Sequence, residues 1–491
     1  MKRIAGMEAK RIRELDRSII AVALLALTLL VRPATSLFSL FSRSYNEGWN
    51  AFLATRAFGQ GPLYPDPSTL VVNNYPPLSF YIVGSIGAVT GDMLIAGRLV
   101  SLLSFFALVA NVFWLIRRLG GTSSGSVFGA AIFAAILLSF APAYVGVDDP
   151  QLLGDAVMLA GFNLFLARGD TLSGILATAL VVILAGLIKH NQIAVPLAIT
   201  VWLLLNDKPR FVRWIAVFFA VSAVAIAGLY ASFGFNVFGS IFIHRHYAIE
   251  SSLLAISTWW LPLLPLFVTA LIFSASRWHD SRQNIVVAYL AASALEGLLV
   301  FQGVNLNIEF DLVIALSISA GLALDAFVDG IRASGVPGRH ANTVAVLFLS
   351  LGVIFTSPVK LGGLVDFIVH GKREDAALRD QIAFIASHRG PVICEQISLC
   401  YWSGKAFELD PFNSHLYFQS HPGSESALLK RVSDKDFPVI QLNAWQADRN
   451  DDSFSNDFMQ ALLKNYTITM TNDRPASAIF VPRTGDDETI R

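Results

Sequence analysis

Apolar runs long enough to cross a lipid bilayer recur from residue 19 to residue 357, near 19–35, 93–116, 124–144, 152–167, 171–188, 190–205, 213–232, 253–275, 284–302, 310–328 and 341–357. Crossing a hydrocarbon layer about 30 Å thick takes about 20 such residues as a helix. Inside that layer the backbone must satisfy its own hydrogen bonds, which leaves helices as the fitting element. The expected fold is therefore a polytopic α-helical membrane protein of about eleven spans with a C-terminal exported α/β domain. Only 15% of residues are charged, against about 25% in soluble domains, which excludes an ordinary soluble enzyme. The 36 basic and 36 acidic residues cancel, so no nucleic-acid partner is implied. Residues 1–17 are basic and polar, and no small-residue cleavage site follows them, so the first run reads as a span rather than a cleaved signal.

One further run, 76–91, opens with Pro76 and Pro77, holds three glycines and is short for a crossing. Charge decides its place, because Lys and Arg stay on the cytoplasmic side of short loops. With 76–91 on the membrane surface, the inner loops become 1–18, 117–123, 168–170, 206–212, 276–283 and 329–340. These hold Lys2, Arg3, Lys10, Arg11, Arg13, Arg17, Arg117, Arg118, Arg168, Lys208, Arg210, Arg277, Arg282, Arg332 and Arg339. The opposite loops hold little more than Arg43, Arg56, Lys189 and Arg245. Counting 76–91 as a span would reverse every later loop. The expected organisation is a cytoplasmic N-terminus (1–18), a membrane domain (19–357) with a long outer loop at 36–92, and an exported domain (358–491).

Within the last segment, 391–398, 437–444, 466–470 and 477–482 read as strands, and 372–388 and 455–464 as helices. Cys394 and Cys400 are the only cysteines, which rules out a cysteine-based metal cluster and allows one disulfide or two buried thiols.

Polar residues gather on the outer side, where ionisable groups at span ends are costly and tend to mark function. They are Tyr45-Asn46-Glu47-Gly48-Trp49 with Asn73-Asn74-Tyr75; Asp148-Asp149-Pro150 with Asp155; Lys189-His190-Asn191; Asn305, Asn307, Glu309 and Asp311; and His244-Arg245-His246. Each has a plain structural reading. Asp149 and Asp311 can start helices, Lys189 can snorkel to headgroups, and the His-Arg-His run can be a solvated loop. Their convergence on one side is what argues for a site.

From Tyr45 to Arg118 the chain resembles the GT-C-fold membrane glycosyltransferases, in particular protein O-mannosyltransferase-like proteins and the lipid A aminoarabinose transferases of bacteria. The shared run is an acidic residue after the first span, Gly61-Pro62-Leu63-Tyr64, Tyr75-Pro76-Pro77-Leu78, Gly97-Arg98-Leu99 and Arg117-Arg118-Leu119-Gly120. Asp148-Asp149-Pro150 and Lys189 fall where the class has a second acidic site and a basic residue. The resemblance implies an inverting transferase of the bacterial inner membrane, facing the periplasm. Its donor would be a hexose or pentose on a polyprenyl phosphate, and its acceptor an envelope glycan, lipid or protein. The family usually has Asp-Glu where this chain has Asn46-Glu47, so Glu47 is the carboxylate left there to act.

Such a transfer needs a base for the acceptor hydroxyl, a cation for the leaving phosphate, and exclusion of water. On this reading Glu47 is the base, and Glu47→Gln abolishes transfer without unfolding the protein. Asp148 and Asp149 position the acceptor or hold a divalent metal, whose presence is left open. Lys189, with Arg98 or His190, meets the phosphate, while Tyr75, Asn74, Asp155, Asn305, Asn307 and Asp311 line the substrate. Two other readings stand: a catalytically silent protein of this fold that binds lipid-linked glycans or acts as a scaffold, and a secondary transporter. The transporter would show duplicated halves with matching broken helices, and none is evident.

Overall fold

The computed structural model describes residues 16–59, 61–66, 69–241, 249–299, 306–443 and 453–484. The membrane part comprises α1 (Arg17–Thr35), α2 (Asn46–Ala57), α3 (Leu78–Thr90), α4 (Met93–Arg118), α5 (Ser123–Phe140), α6 (Gln151–Arg168), α7 (Leu172–Ile188), α8 (Ala194–Asn206), α9 (Lys208–Phe233), α10 (Asn236–Ile241), α11 (Ile249–Ala255), α12 (Leu264–Arg277), α13 (Asn284–Gly297), α14 (Phe310–Ala333), α15 (Gly338–Leu349) and α16 (Leu351–Ser387). Among the described residues six helices are long and apolar enough to cross a membrane: those at 17–38, 93–118, 123–140, 208–233, 306–333 and 351–387. Shorter apolar helices, including α3, α7, α8, α12 and α13, lie among them.

Helix starts follow the local chemistry. Asp92 caps α4 by accepting from Leu94 N–H (2.8 Å) and Ile95 N–H (3.1 Å), and Thr122 accepts from Gly125 N–H at the head of α5 (3.1 Å). The bundle centre is the contact of α5 with α14. A Cβ on Gly125 would fall 2.2 Å from the Gly321 carbonyl oxygen, so the two backbones meet where no side chain intervenes. By contrast α9 buries only Trp214.

Two expected spans are broken. The run 253–275 becomes α11, a π-turn at Ile256–Trp260 and α12, with Pro262 and Pro265 preventing one continuous helix. The run 341–357 becomes α15 and α16, separated at Ser350. At that break a Cβ on Gly352 would sit 2.4 Å from the Pro262 carbonyl oxygen, so the two interrupted segments meet there. α16 then continues through Pro358 to Ser387, joining the last apolar run to the helix expected at 372–388. α3 has 13 residues, about 20 Å of helix.

The loops sort into two groups. Arg282 donates to the Arg118 carbonyl (2.6 Å), Gln283 to that of Leu119 (3.0 Å), and Trp202 to Asn284 (2.7 Å), which gathers loops 117–123, 206–212 and 276–283. At the other end of α4, the Tyr401 hydroxyl accepts from Met93 N–H (2.9 Å) and Trp402 donates to Asp92 (3.0 Å). The 26 residues of α4 separate these ends by about 39 Å.

After α16 come β1 (Val392–Cys394), α17 (Ile397–Trp402), α18 (Pro411–Ser420), α19 (Ser426–Ser433), β2 (Val439–Asn443), α20 (Asn456–Asn465), β3 (Tyr466–Asp473) and β4 (Ala476–Pro482). All four expected strands are present. They form one sheet in the order β1-β2-β4-β3, with β1 and β2 parallel and the other pairs antiparallel. Of the two states open to the cysteines, the structure has the disulfide Cys394–Cys400, which ties the end of β1 to α17. This sheet domain does not stand apart. Trp49, Phe52, Leu53, Tyr64 and Phe80 share one apolar cluster with Leu378, Ile385, Ile397, Phe407 and Val439.

Candidate active site

The site is assembled on the loop between α1 and α4. α2 starts at Asn46 and carries Glu47 in its first turn, where a carboxylate also suits the helix N-terminus. Glu47 is fully buried (0% exposed), and both oxygens are occupied. Arg98 Nε donates to Oε1 (2.6 Å) and Nη2 to Oε2 (3.0 Å), a two-pronged ion pair. Oε2 also accepts from Ser42 Oγ (2.8 Å) and Arg43 N–H (2.9 Å), and Oε1 accepts from Asp148 N–H (3.3 Å).

Arg98 is equally occupied. Its Nη1 donates to the carbonyls of Leu37 (3.0 Å) and Ser39 (2.6 Å), and its Nη2 to that of Phe41 (3.1 Å). Burial pushes the Glu47 carboxyl up, but the adjacent Arg98 and the other donors outweigh burial and hold it below its ordinary value. Five donors converge on Glu47, and Nε, Nη1 and Nη2 of Arg98 are all engaged, so the pair ties the first loop to α4.

Asn46 and the second acidic cluster meet directly: Asn46 Nδ2 donates to Asp149 Oδ2 at 2.8 Å, and Gln151 N–H donates to Asp149 Oδ1 at 2.8 Å. Asp148 lies behind, pressed on α4 at Gly97, where a Cβ would fall 1.9 Å from Asp148 Oδ1. Its Oδ2 has no partner. Burial pushes the Asp148 carboxyl well above its ordinary range, and the charges of Glu47 and Asp149 add to the push. The cavity beside these aspartates holds about 10 Å³, room for about one water.

Asp155, Asn307 and Asp311 extend this cluster in a chain. Gln151 Nε2 donates to Asp155 Oδ1 (2.8 Å), as does Gln192 Nε2 (2.5 Å). Asn307 Nδ2 donates to Gln151 Oε1 (2.6 Å), and Tyr144 donates to Asn307 Oδ1 (3.3 Å). Asp311 accepts from the Tyr289 hydroxyl and interacts electrostatically with Asp155. Lys189 is buried (5% exposed). Its ammonium lies 3.5 Å from the centroid of the Tyr75 ring, a cation–π contact. Among the described residues no carboxylate lies within 4 Å of that ammonium. Asn74 is half-buried beside Tyr75, and His190 is exposed. Asn305 and His244-Arg245-His246 lie outside the described residues. Among the described residues no group of three or more His, Cys, Asp or Glu side chains is arranged to hold a metal ion.

Sequence reasoning missed the partners that aim these groups. Gln151 and Gln192 are buried amides beside or between apolar runs, a signal available in the sequence. Asp410 had none. It lies in the C-terminal domain, yet it accepts from the Tyr45 hydroxyl and from Trp49 Nε1 (2.9 Å), on the two sides of Asn46-Glu47. Asn413 Nδ2 supplies a third donor (2.7 Å). Burial raises both the Asp410 carboxyl and the Tyr45 hydroxyl. Gly48 completes the junction, since a Cβ there would lie 2.1 Å from Ser398 N.

No protein-family profile and no curated relative matches the chain. Solved structures do. ArnT from Cupriavidus metallidurans in the apo state superposes with a TM-score of 0.62 at 14% identity, over 94% of this chain and 96% of that one. The same protein bound to undecaprenyl phosphate gives 0.61 at 14% identity, over 95% and 98%. The archaeal oligosaccharyltransferase AglB from Archaeoglobus fulgidus, in complex with an inhibitory peptide and a dolichol-phosphate, gives 0.58 at 11% identity, over 96% and 74%. Both proteins have the GT-C membrane glycosyltransferase fold, and at these identities the fold is what this chain shares with them.

Proposed function

We propose that this protein is a membrane glycosyltransferase that moves a sugar from a polyprenyl phosphate to a hydroxyl of an envelope acceptor. The reaction takes place on the periplasmic side of the inner membrane, where residues 358–491 also lie and the N-terminus does not. The observation that carries the reading is Lys189. A buried ammonium with no carboxylate within 4 Å among the described residues, and with Asp155 acting on it only at longer range, suits an anion in a chain of this fold, and a phosphate headgroup meets that description. The undecaprenyl-phosphate complex of ArnT and the dolichol-phosphate complex of AglB support the same donor class.

In this mechanism Asp149 replaces Glu47 as the base. It retains a little exposure (6%) and is held by only two donors, Asn46 and Gln151. The acceptor hydroxyl gives its proton to Asp149 as its oxygen attacks the anomeric carbon. The bond from that carbon to the phosphate oxygen breaks with inversion, and the polyprenyl phosphate leaves with its charge facing Lys189. Glu47 and Arg98 hold the loop that presents Asn46, and Asp410 holds it from the other side. Asp155, Asn307 and Asp311 line the sugar.

Asn46 favours one second reading, the silent one, because it stands where the resembling family has an acid. Purified protein incubated with a lipid-linked donor and envelope extract separates the two. Transfer that disappears in Asp149→Asn supports the enzyme. Retention of the donor lipid with no transfer by the wild type supports the silent binder.

A further inference from the structure

A second concavity, of about 210 Å³, opens between residues 41–45 of the first loop and the C-terminal sheet. It lies at the carboxyl ends of the parallel strands β1 and β2, which finish at Cys394 and Asn443. That is where open sheets with parallel strands generally take ligands. Because it caps strand ends rather than running along an edge strand, a peptide cannot add to the sheet there.

The walls disfavour an anionic ligand, because the Glu395 carboxylate lines them and would repel one. Arg43 is the one cation among the residues lining the cleft, and its guanidinium is held by the carbonyls of Pro142 (3.1 Å), Val145 (2.7 Å) and Gly146 (2.6 Å). No charge is therefore left to pair an anion. The Ser398 hydroxyl is buried without a hydrogen-bond partner, and so is the Gln396 side-chain amide nitrogen; burying such groups unpaired is costly. Phe41, Tyr45 and Pro475 supply ring faces beside them. Amide and hydroxyl groups next to flat apolar faces suit a sugar, whose hydroxyls need partners and whose C–H faces pack on rings.

We propose that this cleft binds one uncharged pyranose unit of the acceptor. The inference deepens the transferase reading and rests on it for the word acceptor; sugar binding itself does not. Residues 41–45 form one wall of the cleft and also supply the Ser42 and Arg43 donors to Glu47, one residue before Asn46 meets Asp149. A glycan seated here touches the segment that leads directly into Asn46, the residue that meets the proposed base, and the C-terminal domain becomes part of the acceptor site.

The test is saturation-transfer NMR on the detergent-purified protein with the methyl pyranosides of glucose, galactose, mannose and N-acetylglucosamine, and with glucuronate as a charged control. At least one neutral pyranoside gives transfer, and the double variant Gln396→Ala/Ser398→Ala weakens it at least tenfold. Neither substitution removes a side-chain hydrogen bond from the fold, because both groups lack partners. Absence of transfer from all four neutral sugars, an unchanged signal in the double variant, or preference for glucuronate overturns the proposal. In a transfer assay the double variant raises the acceptor KM about tenfold and leaves kcat unchanged. Asp149→Asn keeps the NMR signal; if it also keeps turnover, the transferase mechanism fails while the sugar site stands.

Discussion

Replacing Glu47 by Gln tests whether that residue is structural or chemical. The substitution keeps the shape but removes the charge from a fully buried pair, leaving the Arg98 guanidinium enclosed without its counter-charge. It also turns an NH₂ group toward an arrangement that consists only of donors: Arg98, Ser42 Oγ, and the N–H groups of Arg43 and Asp148. Breaking one side of a buried ion pair costs about 3–5 kcal/mol, a large share of the 5–15 kcal/mol typical of a folded protein. Thermal unfolding in detergent, followed by tryptophan fluorescence, should show a clear drop for Glu47→Gln. Arg98→Met should drop as well, because the Leu37, Ser39 and Phe41 carbonyls lose their donor. The double variant should be less damaged than the two single losses added together, by about 1–3 kcal/mol of coupling. The pair also gives a sign for pH. Since the folded carboxyl lies below its ordinary 4.5, the stabilisation is complete above about pH 4.5 and is lost as pH falls through the folded value. A Glu47→Gln protein that melts with the wild type, follows the same acid profile and loses only turnover would refute this reasoning and return Glu47 to the chemistry.

Asp148 should behave in the opposite sense. Its folded carboxyl is raised by burial and by neighbouring charges, so its contribution is fullest below its ordinary 3.8 and is lost as pH rises toward the folded value. Asp148→Asn should therefore melt higher than the wild type at neutral pH and lose that advantage near pH 4; a pH-independent difference would count against this. Lys189→Ala should weaken retention of undecaprenyl phosphate at least tenfold in a lipid pull-down while leaving acceptor-sugar binding intact, and unchanged retention removes the phosphate role. Asp149→Asn should lower turnover by about 10²–10⁴ with a smaller melting loss than Glu47→Gln, since it breaks no ion pair and turns its NH₂ toward one of only two donors, and near-normal turnover would exclude it as base. Trp49→Ala should destabilise by about 3–5 kcal/mol, since it empties a buried indole site and removes a donor from Asp410. A variant as stable as the wild type would show that the loop and the C-terminal domain are not coupled there.

The membrane class and the four strands were legible because each rests on a local pattern, apolar length in one case and alternation between turns in the other. The breaks at Ile256–Trp260 and Ser350 were less so. Pro262 and Pro265 carried a signal for the first that the reading of 253–275 as one span did not use, and the second depends on Gly352 meeting the Pro262 carbonyl, a contact far apart in sequence. The meeting of the first loop with Asp148-Asp149 was expected from sidedness alone. The division of labour inside it was not, because only the geometry shows Arg98 claiming Glu47 and leaving Asp149 to Asn46. Asp410 escaped notice for a similar reason. A lone acid in a polar domain carries no signal until the fold brings Tyr45 and Trp49 onto it.

Comparing envelope glycans and lipids by mass spectrometry tests the central claim most directly, in cells that lack the gene and carry either the wild type or Asp149→Asn. The account predicts an acceptor one sugar short in the empty cells and in those with Asp149→Asn, restored by the wild type. Identical glycan and lipid profiles in all three would contradict it.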